Sequence, residues 1–385
     1  MDHPLETQYR SCGLASLHDL WGDFLVYRRL EPADPRLPSF AELRRLLGLE
    51  ERALPRKADP EYGCLIAELL RLARRLDLPG QSLRRLIYIG DTRMNDGTAF
   101  ANICEAGRWL GRAFIGRDEM TRPPQNQVQG ALTLANRWSA LFDFIEGLAG
   151  QGFGLDEATA VVIDMDKTAM GARGRNDRVI DRARLESIRR TLADCLGPDF
   201  NERTFEAAYG ELGKPVYHPF TADNQDYLAY ICLMLGAGLC GLEELRRAVS
   251  NGTMRAFNDF ILRMDGLRAE LGRAGLEPLH DEVRSCFRRG DPTAFKKFRF
   301  NEFLATSACF GGQPAEPVEQ ALDQRIVITH EVRQAASRLR RQGALVFGLS
   351  DKPDEASLPR PDQAAAGIKP LHRLETLVVG AHHVL

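Results

Sequence analysis

The chain has 385 residues, of which 27% are charged and 44% hydrophobic, proportions typical of a globular protein with a substantial core. The formal net charge of −2 gives no overall attraction to nucleic acid or to an acidic membrane surface, so neither partner is favoured. The eight cysteines are dispersed and form no CxxC pair, and no secretory signal is visible, which together indicate a cytoplasmic protein with reduced thiols.

The first half of the chain predicts an irregular start followed by alternating helices and strands. Residues 1–50 contain several prolines, and we treat them as an N-terminal extension with a helical pattern near its end. An amphipathic helix is predicted over 59–78, because Asp59 suits the N-cap and Pro60 the first helical position. A strand, a helix and another apolar run follow in the order typical of a parallel sheet. Their predicted ranges are 85–91, 98–111 and 112–118.

The second half of the chain predicts a long helical segment between strands. Residues 117–158 begin with a polar stretch and then show a helical pattern from 131 to 150. The segment from 170 to 340 is helical in pattern, and its apolar run at 227–242 is too short to cross a membrane and predicts a buried helix. Further strands are predicted at 160–164, 343–350 and 374–380.

These elements predict one α/β sheet domain that is interrupted by a large helical insert. The sheet domain would comprise residues 51–168 together with 341–385, with 117–158 as a joining linker and helix. The insert would comprise residues 169–340.

Two acidic residues follow the buried strand at 160–164. Side chains alternate along a strand, so Asp164 and Asp166 are expected to point the same way at its carboxyl end. Two like charges held so close repel each other unless a cation lies between them or one carries a proton. Folding alone seldom requires such a pair, so the pattern indicates a functional site.

A second strand, at 86–90, also ends in acidic residues. Gly90 allows a sharp turn, and Asp91 would lie at the carboxyl edge of the sheet, where ligands bind in open α/β folds. Joined to Asp164 and Asp166, Asp91 would complete an oxygen-rich site suited to Mg²⁺. Each motif alone fits an N-cap or a turn equally well, but two of them on strands of one sheet favour the functional interpretation.

Two further motifs carry weaker signals. Ser350 ends the strand at 343–350, where its hydroxyl and the following backbone amides could hold a phosphate oxygen. Lys57 lies just before a helix that starts with proline, and lysine can neutralise a phosphate group. Either residue by itself is as easily a solvated side chain.

Taken together, these motifs resemble those of the haloacid dehalogenase superfamily, most of whose members are magnesium-dependent phosphatases. The family's first motif is an apolar strand ending in DxDx(T/V), its second a strand ending in Ser or Thr, its third a lysine, and its fourth GDxxxD or GDxxxxD. The residues that match them in this order are Asp164, Asp166 and Thr168; Ser350; Lys57 in "KADP"; and Asp91 with Asp96.

The order of the motifs in this chain is third, fourth, first, second, which looks like a circular permutation of the family's usual order. The cut would lie between a third sheet strand at 374–380 and the lysine-bearing helix, with 117–158 joining the usual termini. The resemblance implies a Rossmann-like, parallel-sheet α/β core, circularly permuted, with a large all-helical cap insert at 169–340. In such a core the strand at 344–349 should lie parallel beside the strand at 160–164, with 86–90 on the other side, and the cap should cover the acids.

The resemblance also implies a mechanism and a cofactor. The protein would be a phosphatase that hydrolyses a small phosphorylated metabolite through an aspartyl-phosphate, with Asp164 as nucleophile and Asp166 as general acid and base. The expected phosphate-binding residues are Thr168, Ser350, Asp351 and Lys57, and the expected Mg²⁺ ligands are Asp164, Asp166 (through its backbone carbonyl), Asp91 and Asp96.

Several alternatives stay open from sequence. A phosphotransferase or phosphomutase would use the same residues, and the retained DxD carboxylates argue against a non-catalytic scaffold. The basic and aromatic stretch at 295–303 would suit a nucleic-acid end-processing phosphatase, although buried phenylalanines on a helix are the preferred explanation. Lys369 competes with Lys57, and Asn95 competes with Asp96 for the metal shell. The pair His382 and His383 is attributed to a frayed tail.

Overall fold

A computed structural model describes residues 9–50 and 54–382 of the chain. The strands of these residues are β1 (Tyr9–Ala15), β2 (Leu25–Val26), β3 (Arg85–Gly90), β4 (Leu110–Gly116), β5 (Asn126–Gln129), β6 (Leu132–Ala135), β7 (Thr159–Asp164), β8 (Ile328–Thr329), β9 (Leu345–Leu349) and β10 (Thr376–Ala381). The α-helices of these residues are α1 (His18–Trp21), α2 (Phe40–Leu47), α3 (Pro60–Asp77), α4 (Asp96–Gly107), α5 (Ala140–Gly150), α6 (Asp177–Leu196), α7 (Glu202–Leu212), α8 (His218–Thr221), α9 (Gln225–Gly236), α10 (Leu242–Ser250), α11 (Phe257–Asp265), α12 (Arg268–Arg273), α13 (Glu277–Arg288), α14 (Lys296–Ala308), α15 (Val318–Gln324), α16 (His330–Arg341) and α17 (Pro361–Ala365).

The chain forms two compact units. The first contains residues 1–182 and 306–385, and the second contains residues 183–305. The helical segment between the predicted halves of the sheet domain therefore forms a unit of its own, but a shorter one than the predicted insert at 169–340. Residues 306–340 belong to the first unit, and they include a short strand, β8, that the helical pattern did not predict.

A seven-stranded sheet organises the first unit, in the order β2-β9-β7-β3-β4-β6-β5. All neighbouring strands are parallel except β5, which runs antiparallel to β6 at the edge. β3, β7 and β9 are short, mainly apolar runs, and they are buried almost throughout because the sheet is covered on both faces. The predictions that β9 and β3 flank β7 in parallel are confirmed.

Helix α3 packs its apolar face on this sheet and fixes the chain that precedes it. Leu65, Ile66 and Leu69 share a buried cluster with Tyr88 of β3 and Phe347 of β9. The helix begins at Pro60, as predicted. Asp59 stands at the N-cap position, but its carboxylate accepts a hydrogen bond from the backbone N–H of Arg56 (2.7 Å) and not from the helix. The turn closed in this way presents Lys57.

The strand predicted at 374–380 does not join the main sheet. β10 lies between β1 and β8 in a separate three-stranded sheet, so its proposed role as the third strand of the core is wrong. The position beside β9 is taken by β2, whose two buried residues, Leu25 and Val26, pair with Gly348 and Leu349. Residues 9–50 thus supply one strand to each sheet, so this described part of the predicted N-terminal extension is not separate from the sheets.

The joining segment also differs from its prediction. The helix predicted from residue 131 begins only at Ala140, and Leu132–Ala135 forms β6, which pairs in parallel with β4. Gly130, with φ of +60°, turns the chain back from β5 into β6. β5 is polar and exposed at most of its residues, so it has no apolar alternation that would mark it as a strand.

The second unit is all helical and has its own core. α9 is buried along almost its whole length, which confirms a buried helix over 227–236, but the helix ends at Gly236 and does not reach residue 242 as predicted. Phe298, from the basic and aromatic stretch at 295–303, is fully buried, and Arg299 is paired with Asp226 (2.6 Å). That stretch is therefore packed within the helical unit and is not an open basic surface.

The described residues contain no helix long and apolar enough to cross a membrane. All eight cysteines are free thiols, as expected from their spacing. His382 is exposed at the end of the described chain, and His383 lies outside the described residues.

Candidate functional site

Three carboxylates meet at the carboxyl ends of β3 and β7. Asp91 follows β3, Asp164 ends β7 and Asp96 opens α4, and each offers an oxygen within 4.8 Å of the other two. Gly90 makes this possible, since a Cβ at that position would lie 2.6 Å from the Cβ of Asp96. Strand alternation predicted Asp166 as the third acid of the cluster, but the structure brings Asp96, which the resemblance also implied, to that place.

Lys57 lies among the carboxylates. Its Nζ is 2.9 Å from Oδ1 of Asp96, 2.5 Å from Oδ1 of Asp164 and 3.9 Å from Oδ2 of Asp351. Burial alone would lower the pKa of Lys57, but the charges of Asp164 and Asp96 outweigh it and raise the pKa well above its usual value. Lys369 is exposed, so Lys57 is the lysine that the fold brings to the acids.

Both carboxylate oxygens of Asp96 accept hydrogen bonds from the protein itself. Its Oδ1 accepts from Lys57 and from the hydroxyl of Tyr88 (3.1 Å), and its Oδ2 accepts from the backbone N–H groups of Asp91 and Thr92 (3.1 and 2.9 Å). Burial would raise the pKa of Asp96, but Lys57 and these donors hold the pKa below its usual value. Asp96 therefore orients Lys57 and the turn after β3, and Asn95 is exposed beside it.

Asp164 and Asp91 each have one carboxylate oxygen that accepts no hydrogen bond from the described residues. Among the described residues, only Lys57 donates to the Asp164 carboxylate, at Oδ1, and only Arg173 donates to that of Asp91, at Oδ2 (2.5 Å). Burial, reinforced by the neighbouring acids, raises the pKa of Asp164 well above its usual value in spite of Lys57. Burial and the charge of Asp96 raise the pKa of Asp91 to about 7. The site thus holds more buried negative charge than its own cations offset.

Asp166 and Ser350 form a second pair next to this cluster. Lys167 has φ of +61°, so the chain turns after β7 and Asp166 lies beyond the strand. The Ser350 hydroxyl donates to Oδ2 of Asp166 (3.0 Å) and accepts from the backbone N–H of Lys352 (3.0 Å). Oδ1 of Asp166 is buried and has no hydrogen-bond partner in the described part of the chain. Asp351 is partly exposed.

Thr168 is the predicted site residue with the least support from its surroundings. It is fully buried, and its backbone carbonyl accepts a hydrogen bond from the hydroxyl of Thr329 (2.5 Å). Its own hydroxyl has no partner among the described residues. This placement fits a structural residue of the turn after β7 as well as a phosphate ligand.

Sequence reasoning missed two residues of the site, Arg173 and Tyr88. Tyr88 looked like one more apolar residue of β3, and only its hydroxyl reaches Asp96. Arg173 lies in the loop between β7 and α6. Its backbone carbonyl accepts from the N–H of Asp118 and from the indole of Trp138 (2.9 and 3.2 Å), which hold the guanidinium against Asp91.

Comparisons of this chain with protein-family models, with curated proteins and with solved structures found no match. The case for any function therefore depends on the residues of the site and on the topology that brings them together.

Proposed function

We propose that the protein is a magnesium-dependent phosphatase that acts on a small phosphomonoester through an aspartyl-phosphate, on a circularly permuted core like that of the haloacid dehalogenase superfamily. The observation that carries the proposal is the meeting of Lys57 with Asp91, Asp96 and Asp164 at one sheet edge, although their segments are far apart in sequence. These residues match three separate motifs of the resemblance: Lys57 the third, Asp164 the first, and Asp91 with Asp96 the fourth.

The residues at the site fit a divalent cation. Carboxylate oxygens are the ligands that Mg²⁺ prefers, and Asp164 and Asp91 each have an oxygen without a donor among the described residues. Burial, together with the neighbouring acids, raises the pKa of both groups, and a bound cation would favour their ionised forms. Asp164 and Asp91 would hold Mg²⁺, with the backbone carbonyl of Asp166 as a further ligand by resemblance. When bound, Mg²⁺ would neutralise phosphoryl oxygens in the transition state.

The side chains can then be given roles in the reaction. An oxygen of ionised Asp164 attacks phosphorus, and the bond from phosphorus to the leaving oxygen breaks, which leaves an aspartyl-phosphate. Asp166 gives its proton to the leaving oxygen and later takes one from the water that attacks phosphorus in the intermediate. The bond from phosphorus to the Asp164 oxygen then breaks, which releases phosphate and restores the carboxylate. Lys57 holds an oxygen of the phosphoryl group, and the hydrogen bond that the Ser350 hydroxyl donates orients the Asp166 carboxylate.

The sheet topology supports a permuted core, with one revision. β9 and β3 flank β7, so the strands that bear the second and fourth motifs lie on either side of the strand that bears the first. Because β2 and not β10 follows β9 in the sheet, the cut would fall between β9 and β2. The expectation that the helical unit covers the acids stays a prediction.

Transfer to an acceptor other than water would use the same residues, and only the products distinguish it from hydrolysis. A nucleic-acid substrate is disfavoured, because the stretch at 295–303 is packed by Phe298 and its Arg299 is paired.

The test is a screen of phosphorylated metabolites for phosphate release that requires Mg²⁺ and is abolished by a chelator. Asp164→Asn should reduce the rate of phosphate release by at least about 10³-fold without unfolding the protein, because it removes the nucleophile. The matched control is Asp362→Asn, at an exposed position of α17. Acid quenching with a radiolabelled substrate should trap a phosphoenzyme in the parent protein and not in Asp164→Asn. Near-parental turnover by the purified Asp164→Asn variant would show that the nucleophile is wrongly assigned.

A further inference from the structure

A cavity of about 320 Å³ lies beside the carboxylate cluster, at the carboxyl ends of β4 and β6. Asp91 contributes to its wall, so the cavity adjoins the candidate metal site. Its charged lining residues other than Asp91 are Arg93, Arg117, Glu119 and Arg122. None of these residues was identified from the sequence as part of a site.

The strands give this cavity a floor with two apolar residues and one glutamine, and a polar rim. Ile115 of β4 is paired with Leu134 of β6, which is paired with Gln127 of β5, so the three side chains form one row across the sheet. The next lining row begins two residues further along, with Arg117, and contains Asn136. Arg117 and Asn136 lie just beyond the ends of β4 and β6, and residues of both rows line the cavity. A short carbon chain fits the floor, and polar groups fit the rim.

Positive charge exceeds negative charge in this lining. Glu119 is shared by two guanidinium groups, at 2.5 Å from Arg117 and 3.5 Å from Arg122. Arg93 is exposed and has neither a hydrogen bond nor an ion pair with any residue in 9–50 or 54–382. Three arginines thus face one carboxylate, apart from Asp91, which is already bonded to Arg173. A guanidinium group is always protonated and binds a carboxylate or a phosphate through two parallel hydrogen bonds.

We propose that this cavity binds a second anionic group of the substrate, so that the enzyme acts on small phosphomonoesters that also carry a carboxylate or a second phosphate. The proposal rests on the proposed phosphatase function, since it places the rest of the substrate next to the phosphoryl site at Asp91. Arg93 is the principal contact, because it has no partner of its own in the described chain, while Arg117 and Arg122 close the rim. The cavity volume suits a small organic group and not a polymer.

The kinetic test compares matched pairs of substrates. 3-Phosphoglycerate and glycerol 3-phosphate differ by a carboxylate, and glucose 1,6-bisphosphate and glucose 1-phosphate differ by a second phosphate. We expect the acidic member of at least one pair to have a kcat/KM higher by about 10-fold or more. Arg93→Gln should remove most of that preference, mainly by raising KM for the acidic member, because it removes a charged hydrogen bond that is made in the ground state. The pair that responds identifies the anionic group as carboxylate or phosphate.

Arg45→Gln is the matched control, because Arg45 is also an exposed arginine of the first unit but does not line the cavity. It should keep the parental preference. A second variant, Arg122→Gln, should reduce the preference in the same direction as Arg93→Gln.

A binding measurement separates failure of this inference from failure of the proposed function. Calorimetry with 3-phosphoglycerate or glucose 1,6-bisphosphate on Asp164→Asn, with and without Arg93→Gln, reports on the cavity without turnover. Binding that depends on Arg93, in a protein that hydrolyses no phosphomonoester, would support the anion site and reject the phosphatase. A phosphatase that shows neither a preference for acidic substrates nor binding dependent on Arg93 would overturn the anion site and leave the proposed function standing.

Discussion

Lys57 is the side chain on which the electrostatics of the carboxylate cluster depend. It is buried, and it bridges Asp96 and Asp164 at 2.9 and 2.5 Å. Asp96 in turn is held by Tyr88 and by backbone N–H groups of the turn after β3. Removing the lysine would leave two buried carboxylates without their shared cation, which is costly in a low-dielectric environment.

We predict that Lys57→Met lowers kcat by about 100-fold or more and destabilises the fold by about 3 kcal/mol. Mg²⁺ should raise the melting temperature of this variant by more than it raises that of the parent, because the cation replaces part of the lost charge. Lys369→Met is the control, and it should match the parent in both measurements. Loss of activity in Lys369→Met with a fully active Lys57→Met would reverse the assignment.

His372 links the pH of the solution to the stability of the first unit. Its Nδ1 lies 3.0 Å from the hydroxyl of Tyr27, and its Nε2 lies 3.2 Å from Oδ1 of Asp23. A neutral ring that donates from Nε2 and accepts at Nδ1 satisfies both partners. Burial lowers the pKa of His372 below its usual value, although Asp23 opposes this shift. The unfolded chain therefore takes up a proton on this ring at a higher pH than the folded protein does.

It follows that the free energy of unfolding should fall as the pH drops below about 6.5, by up to about 1 kcal/mol from this residue between pH 7.5 and 5.5. His372→Gln should remove that part of the pH dependence, whatever its effect on stability at pH 7.5. Urea denaturation of both proteins at the two pH values measures the difference. An unchanged pH dependence in His372→Gln would show that the ring is not held neutral.

Some residues of the site could be predicted from the sequence, and others could not. Asp91 and Asp164 were predictable because each follows a short buried strand, and parallel strands end at one edge. Asp166 was expected in the carboxylate cluster from strand alternation, but the chain turns at Lys167 and the alternation stops there. Arg173 was not predictable, since its contact with Asp91 joins residues 82 positions apart through a loop.

Among the secondary-structure elements, the strands that are buried on both faces were the easiest to predict from sequence. β3, β7 and β9 stand out as apolar runs, and their neighbour relations were expected from the resemblance of their motifs to those of a permuted core. β5 is polar and lies at an edge, and β2 has only two residues, so neither produces a pattern in the sequence. β10 is an apolar strand like the others, and only its long-range pairing with β1 places it in the second sheet.

The segment between β7 and α6 depends on Gly174. This glycine has φ of +78°, and a Cβ there would lie 2.0 Å from the backbone carbonyl oxygen of Asp118. Gly174→Ala should therefore destabilise the protein by about 3 kcal/mol or more and weaken the contact of Arg173 with Asp91. Gly130→Ala is the control, since it has φ of +60° but open space around it, and should cost only about 1 kcal/mol. Urea denaturation of the two variants measures the difference, and equal costs would show that the segment adjusts freely.

At the scale of the whole molecule, the chain contains a hydrophobic core in each of its two units. The core of the helical unit includes Phe260 and Tyr230, and its buried residues all come from 188–298. A core of the first unit includes Phe347, and its buried residues come from 26–113, 160–162 and 345–349. All three tryptophans, Trp21, Trp109 and Trp138, belong to the first unit, so their fluorescence reports on that unit alone. Circular dichroism reports on the helices of both units.

We therefore predict that single core substitutions separate the two signals. Phe260 and Phe347 are both fully buried, and truncation of a buried phenylalanine to alanine typically costs about 3–5 kcal/mol. In urea, Phe260→Ala should lower the midpoint of part of the circular dichroism transition while tryptophan fluorescence changes near its parental midpoint. Phe347→Ala should instead lower the midpoint of the fluorescence transition. If both signals shift together in both variants, the two cores unfold as one cooperative unit, and the helical segment cannot be treated as a separately folded insert.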